Sequence, residues 1–225
     1  MKNKLSDKMN EDALLREVVD DVKNEQLQKI WNKYGLSIII GVALILTAAL
    51  SYESLKNWQE KNQQKLSNAY SVALSLQGQG RLDESLEVYG TLADKASGIY
   101  ADLAKLQIAN IYTDQGKNED AAAILNTLAQ DASAQQMRHI AALKLASYKI
   151  DAGAPAQEIE ALLQPVLTDE TQTDIAKELS AMLDIREKNL DAAKAKYAEI
   201  AVSATASDTL KARAQDMINL LNKTN

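Results

Sequence analysis

The chain has 225 residues, a length that suits one medium-sized domain with appendages. With 2 prolines and 8 glycines, it has few of the turn-forming residues that an all-β fold needs. It has no phenylalanine, which favours helices packed through aliphatic side chains. The net charge of -6 argues against nucleic acid as a partner. The absence of cysteine excludes disulfides and thiolate chemistry, and the single histidine, His139, gives little basis for histidine catalysis or metal binding.

The most apolar part of the sequence is YGLSIIIGVALILTAALSY, residues 34–52, which carries no charged side chain. As a helix it would be roughly 28 Å long at about 1.5 Å per residue, close to the thickness of a bilayer core. Trp31 and Trp58 flank it, and tryptophan favours the headgroup regions. A buried core helix would need a shell of other elements, so the stretch predicts a single transmembrane helix.

The leading segment distinguishes a signal-anchor from a cleaved signal peptide. Small residues at 47–49 could serve a cleavage site, but residues 1–33 are too long and too acidic for a signal-peptide n-region. We therefore expect an uncleaved anchor with a short cytoplasmic N-terminal segment, although the charge bias across the span supports this orientation only weakly. The polar residues 53–64 contain neither glycine nor proline and predict a helical stalk.

Residues 65–225 contain internal repeats. The segment GRLDES at 80–85 aligns with GKNEDA at 116–121, a spacing of 36 residues, and the match continues into the helices that follow. A third turn is expected at Gly153 and a fourth at KNLDAA, residues 188–193. Each unit divides into two amphipathic helices around its turn, which is the signature of a helical-repeat architecture.

Apolar stripes at helical spacing predict which side chains face the core. The predicted inward residues are Ala69, Val72, Ala73 and Leu76; Ala104, Ile108, Ile111 and Tyr112; Ala121, Ile124, Leu125 and Leu128; Ile159, Leu162, Leu163, Val166 and Leu167; Ile175, Leu179, Met182 and Leu183; and Leu210, Ala214, Met217, Ile218 and Leu221. The final stripe has no partner helix after it, so the helix from 207 to about 222 is expected to cap the array.

The second unit resembles the tetratricopeptide repeat (TPR) most closely. IANIY at 108–112 replaces the L-G-x2-Y segment, residues 115–116 supply the turn, and AAAIL at 121–125 replaces A-x3-F. Lys105 stands where the pattern has tryptophan, so the repeats are divergent. The sequence predicts an all-α protein in which one transmembrane helix precedes a TPR-like solenoid with a C-terminal capping helix. The alternative is a helical bundle with accidental similarity to the repeat.

No motif indicates an active site, a metal or a cofactor. The glycines at 78–80 suit a helix cap rather than a phosphate loop. The acidic pair at 119–120 complements a helix dipole, and the pair at 169–170 lacks the pattern of a calcium loop. His139 has neither a cysteine nor a second histidine to work with and is interpreted as an ordinary helix-surface or interface residue. We therefore expect a protein that is not an enzyme.

A helical-repeat array offers a concave face lined by the first helix of each unit. Six residues of the first two units are predicted to face this groove: Tyr70, Leu74, Gln77, Leu106, Asn110 and Thr113. They combine apolar contact with adaptable hydrogen bonding and lack a strong point charge, which favours tolerant binding of polypeptides. The alternative for Leu74 and Leu106 is packing against a neighbouring unit.

The N-terminal stretches LREVVDDVKNEQ at 15–26 and KIWNKYG at 29–35 resemble a bacterial inner-membrane family of TPR-like proteins described as ancillary subunits of the Sec translocon. This resemblance implies a cytoplasmic N-terminus, one membrane helix and a periplasmic repeat domain. It also implies the SecYEG translocon and periplasmic chaperones or exported polypeptides as partners. The expected function is a membrane-anchored adaptor that holds or relays exported polypeptides. The alternative is an envelope scaffold that binds a fixed folded partner in cell division or outer-membrane assembly.

Overall fold

The computed structural model describes residues 31–37, 39–41, 44, 47, 53, 55–169 and 171–224. The chain divides into two compact units, Met1–Gln63 and Gln64–Asn225. In the first unit, residues 31–37, 39–41 and 55–63 are helical. More than half of the predicted span at 34–52, and nearly all of the segment before it, lie outside the described residues. Among those described, no helix is both long enough and apolar enough to cross a membrane.

The described residues of the second unit form helices joined by short turns. Of the helical residues 55–78, those from 64 onwards belong to this unit and are called α1. The helices that follow are α2 (Leu82–Lys95), α3 (Ile99–Asp114), α4 (Asn118–Asp131), α5 (Gln135–Asp151), α6 (Ala156–Leu167), α7 (Thr173–Arg186), α8 (Leu190–Val202) and α9 (Asp208–Thr224). They form four helix pairs and a final single helix, as the repeats predict.

The turn within each pair has the same backbone geometry. Gly80, Gly116, Gly153 and Lys188 have φ angles of 75°, 72°, 71° and 65°. At each turn this residue donates its amide to the carbonyl three residues earlier, and the next amide donates to the carbonyl five residues earlier. These bonds define a Schellman motif, which ends a helix and satisfies its last carbonyl groups. The predicted repeat spacing is therefore confirmed at all four turns.

The core consists of four hydrophobic clusters, each built from three consecutive helices: α1–α3, α3–α5, α5–α7 and α7–α9. Helices α3, α5 and α7 each belong to two clusters. Alanine on both sides of these helices permits close approach, as with Ala104 and Ala109 on α3. The capping helix α9 is also tied to α7 by Arg213, whose guanidinium donates two hydrogen bonds to Glu178 at 3.0 and 2.8 Å.

Most of the predicted inward residues are buried or partly buried, but three are exposed. Val72 is 52% exposed, and on α7 Ile175 and Met182 are 45% and 37% exposed. The reason on α7 is that its two clusters cover opposite sides of the helix, through Leu179 on one side and Ala181 on the other. Ile175 and Met182 lie between these two sides, so the prediction of a single inward stripe was wrong for them.

Candidate partner-binding groove

The six predicted groove residues occupy three equivalent positions in the first two units. Leu74 and Asn110 both lie six residues before their turn glycine, and Leu74 is 43% exposed. The other two pairs lie ten and three residues before it: Tyr70 with Leu106, and Gln77 with Thr113. Because equivalent residues of adjacent units follow one another along a solenoid, each position traces a row across α1 and α3.

A polar network connects part of the set across the two helices. Asn110 donates its side-chain amide to Gln107 Oε1 at 3.3 Å, and Gln107 donates to the Tyr70 hydroxyl at 3.2 Å. The Tyr70 ring also packs against Tyr89 and Tyr100, with centroid distances of 5.6 and 6.3 Å. Tyr70 and Asn110 are thus brought together, with Gln107 as an unpredicted link between them.

Gln77 is held by a buried tyrosine. Tyr89 is fully buried between α1 and α3, and its hydroxyl donates to Gln77 Oε1 at 3.2 Å. Burial, with a smaller contribution from Tyr70, raises the pKa of Tyr89 to about 12. The hydroxyl therefore remains protonated at physiological pH and continues to donate to Gln77.

The two predicted groove leucines have different environments. Leu106 is partly buried against the α3–α5 cluster, which includes Leu128 and Met137. Leu74 belongs to none of the four clusters and remains substantially exposed. Packing on a neighbouring unit therefore explains Leu106, whereas Leu74 presents apolar surface to solvent. Thr113 is exposed, and its hydroxyl donates to the Ala109 carbonyl at 2.9 Å.

A pocket of about 480 Å³ lies between α3, α4 and α5. It includes Asn110 and Thr113 of the predicted set, both from α3. The remaining lining residues are Asn118, Glu119, Ala121, Ala122 and Leu125 of α4, Lys144, Ser147, Tyr148 and Asp151 of α5, and Ala152 after it. The prediction missed them because it considered only the first helix of the first two units. Ser147 could have been found from the repeat, since it is the third-unit equivalent of Leu74 and Asn110.

The charged side chains at this pocket are Glu119, Lys144 and Asp151. All three are exposed, and none forms an ion pair with another residue that the structure describes. The apolar side of the pocket is formed by Ala121 and Leu125, which belong to the buried α3–α5 cluster. The pocket therefore combines an apolar floor with unpaired charges at its opening.

His139 is buried, with 5% of its surface exposed, so placing it on a helix surface was wrong and the interface interpretation applies. Its Nδ1 atom lies 3.1 Å from Asp169 Oδ2, in the loop between α6 and α7. This is an ion-pair distance, and Nδ1 has no other partner among the described residues. Two hydrogen bonds donated by Thr171 are the main cause of the lowered pKa of Asp169, and the nearby His139 lowers it further.

The position of His139 is part of a repeated junction. It lies fourteen residues before its turn residue, as do Asp102 and Asp174 in the units on either side. Asp102 Oδ2 accepts hydrogen bonds from the amide and hydroxyl of Ser133 at 2.7 and 2.5 Å. Asp174 Oδ2 accepts hydroxyl hydrogen bonds at 2.8 and 2.6 Å from the loop before α9. Each of these three units is thus tied to the loop that follows it, which is a structural role.

These features define a class of protein: a helical-repeat interaction module with an open pocket. No group of three or more acidic or histidine side chains with a metal-binding arrangement occurs within the described part of the chain. The family model of the tetratricopeptide repeat-like domain matches residues 28–221, and the chain therefore belongs to this family. TPR-like domains bind protein partners and are generally not catalytic. Comparisons with curated proteins and with solved structures gave no match.

Proposed function

We propose that the protein is a membrane-anchored adaptor of the Sec translocon that holds exported polypeptides or relays them to periplasmic chaperones. In this proposal, residues 34–52 span the bacterial inner membrane, the N-terminus is cytoplasmic and the repeat domain is periplasmic. The observation that carries the interaction role is the open pocket between three helices of a TPR-like domain. The resemblance of residues 15–26 and 29–35 to ancillary translocon subunits supports the choice of partner.

The exposed chemistry of the first two units favours a partner without a fixed shape. Leu74 offers apolar contact, Asn110 can accept or donate hydrogen bonds, and the Thr113 hydroxyl oxygen can accept them. An unfolded chain presents the complementary groups in many arrangements, so binding through such a surface is tolerant and weak, roughly micromolar or weaker.

Site-specific photocrosslinking in cells tests the adaptor role. A photoreactive residue at position 74 should crosslink to translocon subunits and exported polypeptides. The control is position 202 at the end of α8, where Val202 is also exposed but lies on the second helix of its unit. Equal crosslinking from both positions would contradict a specific surface. Crosslinking from position 74 to a single folded partner, and to no translocon subunit, would instead favour the envelope-scaffold alternative.

Accessibility measurements test the proposed topology. Protease added to spheroplasts should digest the repeat domain and leave a small protected N-terminal fragment. An epitope after Asn225 that resists digestion once the outer membrane is open would reverse the orientation. Co-purification of translocon subunits after mild detergent extraction is the matching test of the partner, and their consistent absence would contradict the proposal.

A further inference from the structure

The pocket between α3, α4 and α5 has features of a side-chain recognition site. Its volume of about 480 Å³ lies in the usual range for ligand pockets, about 300–1,000 Å³. Buried Leu125 and Ala121 supply an apolar floor, while Glu119 and Asp151 bring carboxylates from two different helices. An apolar wall with carboxylates at the opening complements a side chain that has an aliphatic stem and a cationic end.

We propose that this pocket receives an arginine or lysine side chain of a polypeptide partner. The inference rests on the proposed polypeptide-binding function and specifies the chemistry that its surface selects. The aliphatic stem would lie along the Ala121 and Leu125 floor, and the cationic group would reach the carboxylates of Glu119 and Asp151. Long cationic side chains bind in this way because their methylene groups favour apolar surface while the charge stays hydrated or paired.

The backbone around the pocket adds to the preference for a cation. Helices α3 and α5 both end there, at Asp114 and Asp151, and the last carbonyl groups of a helix carry partial negative charge. The N-terminus of α4 opposes this effect, but Glu119 lies in that first turn and compensates it. Of the lysines near the end of α5, Lys149 is already paired with Glu158 at 2.7 Å.

Lys144 is the one cationic side chain among the lining residues, and it disfavours a bound cation. Its side chain is exposed on a flexible stem and forms no ion pair with any residue in the described ranges. We expect its ammonium group to compete with the incoming side chain for the two carboxylates. Neutralising Lys144 should therefore strengthen binding, whereas neutralising Glu119 or Asp151 should weaken it.

The test measures peptide binding to the full-length protein in detergent micelles by fluorescence anisotropy. The probe is a labelled peptide, Gly-Ser-Ala-Arg-Ala-Ser-Gly, and its comparison has citrulline, a neutral isostere, in place of arginine. Each partly exposed ion pair contributes a factor of roughly two to five in affinity. We expect the arginine peptide to bind several-fold more tightly than the citrulline peptide, and this advantage to decrease with salt.

The repeats provide matched controls for the variants. Asp83 and Asp191 are the first-unit and fourth-unit equivalents of Glu119; neither lines the pocket. Glu119→Gln and Asp151→Asn should each reduce the ratio of the arginine-peptide affinity to the citrulline-peptide affinity by a factor of roughly two to five. Asp83→Asn and Asp191→Asn should leave it unchanged, and Lys144→Gln should increase it.

Several results would overturn the inference. These are equal binding of the two peptides, no binding of either, tighter binding of a peptide with glutamate in place of arginine, or equal losses in the control variants. Equal losses would mean a long-range effect of net charge rather than a site. The outcome is separable from the adaptor proposal, because crosslinking from position 74 can persist when the pocket has no preference for arginine.

Discussion

Replacing Lys188 by glycine should stabilise the repeat domain. Lys188 has a φ angle of 65° at the turn position that glycine occupies in the other three units. Its side chain is exposed and forms no ion pair with the other described residues. The substitution therefore removes little besides the backbone strain that the Cβ atom causes. The two hydrogen bonds of the turn, from the amides of Lys188 and Asn189, do not depend on the side chain.

The expected gain follows from two opposing contributions. A residue with a Cβ atom in the left-handed region costs about 1–2 kcal/mol relative to the right-handed one. Glycine offsets part of this gain, because its greater freedom in the unfolded chain costs about 0.5–1 kcal/mol. The net effect of Lys188→Gly is therefore an increase of about 0.5–1 kcal/mol in the free energy of unfolding.

Urea unfolding of a fragment containing residues 64–225, followed by far-UV circular dichroism, measures this effect. We expect the fragment to fold alone, since all four hydrophobic clusters lie within it. With a denaturant slope of about 2 kcal/mol per molar urea, the midpoint should rise by about 0.25–0.5 M. Lys188→Ala is the matched control: it removes the same charge but keeps the Cβ atom, and should give no such gain.

The reciprocal change should have the opposite effect. Gly153 has a φ angle of 71°, and an added Cβ atom there would meet nothing within 4 Å. Gly153→Ala therefore adds backbone strain without a steric clash and should lower the stability by about 1 kcal/mol. An equal gain from Lys188→Gly and Lys188→Ala would refute the backbone argument, because the lost charge would then be the cause.

Three further changes test the core and the junctions between units. Leu125→Asp should lower the melting temperature strongly in circular dichroism, since an unpaired carboxylate in the α3–α5 cluster costs several kcal/mol. Asp102→Ala should lower the free energy of unfolding in urea by about 1–3 kcal/mol, because a loop amide and hydroxyl lose their buried acceptor. For Asp169, the folded-state pKa is lowered by Thr171 and then His139, so its stabilising contribution is present at neutral pH and lost as pH falls through that pKa. Asp169→Asn should accordingly lower the melting temperature of the fragment at pH 7. The difference in melting temperature between this variant and the parent should vanish in acid, and a difference independent of pH would contradict this reasoning.

The sequence by itself determined the helices, their pairing and the repeat spacing. These features follow from local chemistry: glycine favours the left-handed turn, and apolar residues at helical spacing mark a face that must be buried. Lys188 shows how far this information extends, because the fourth turn was predicted from the surrounding KNLDAA segment although its left-handed residue is not a glycine.

Only the tertiary structure decided which groups lie at the junctions and in the pocket. His139 is buried, and a loop thirty residues later brings Asp169 against it; no local pattern carries that information. Leu106 and Leu74 both lie on the first helix of their units, yet one packs on the α3–α5 cluster and the other remains exposed. A periodic pattern reports one buried face, whereas an interior helix of a solenoid is packed on two sides. Which residues remain open to a partner therefore depends on how neighbouring units stack.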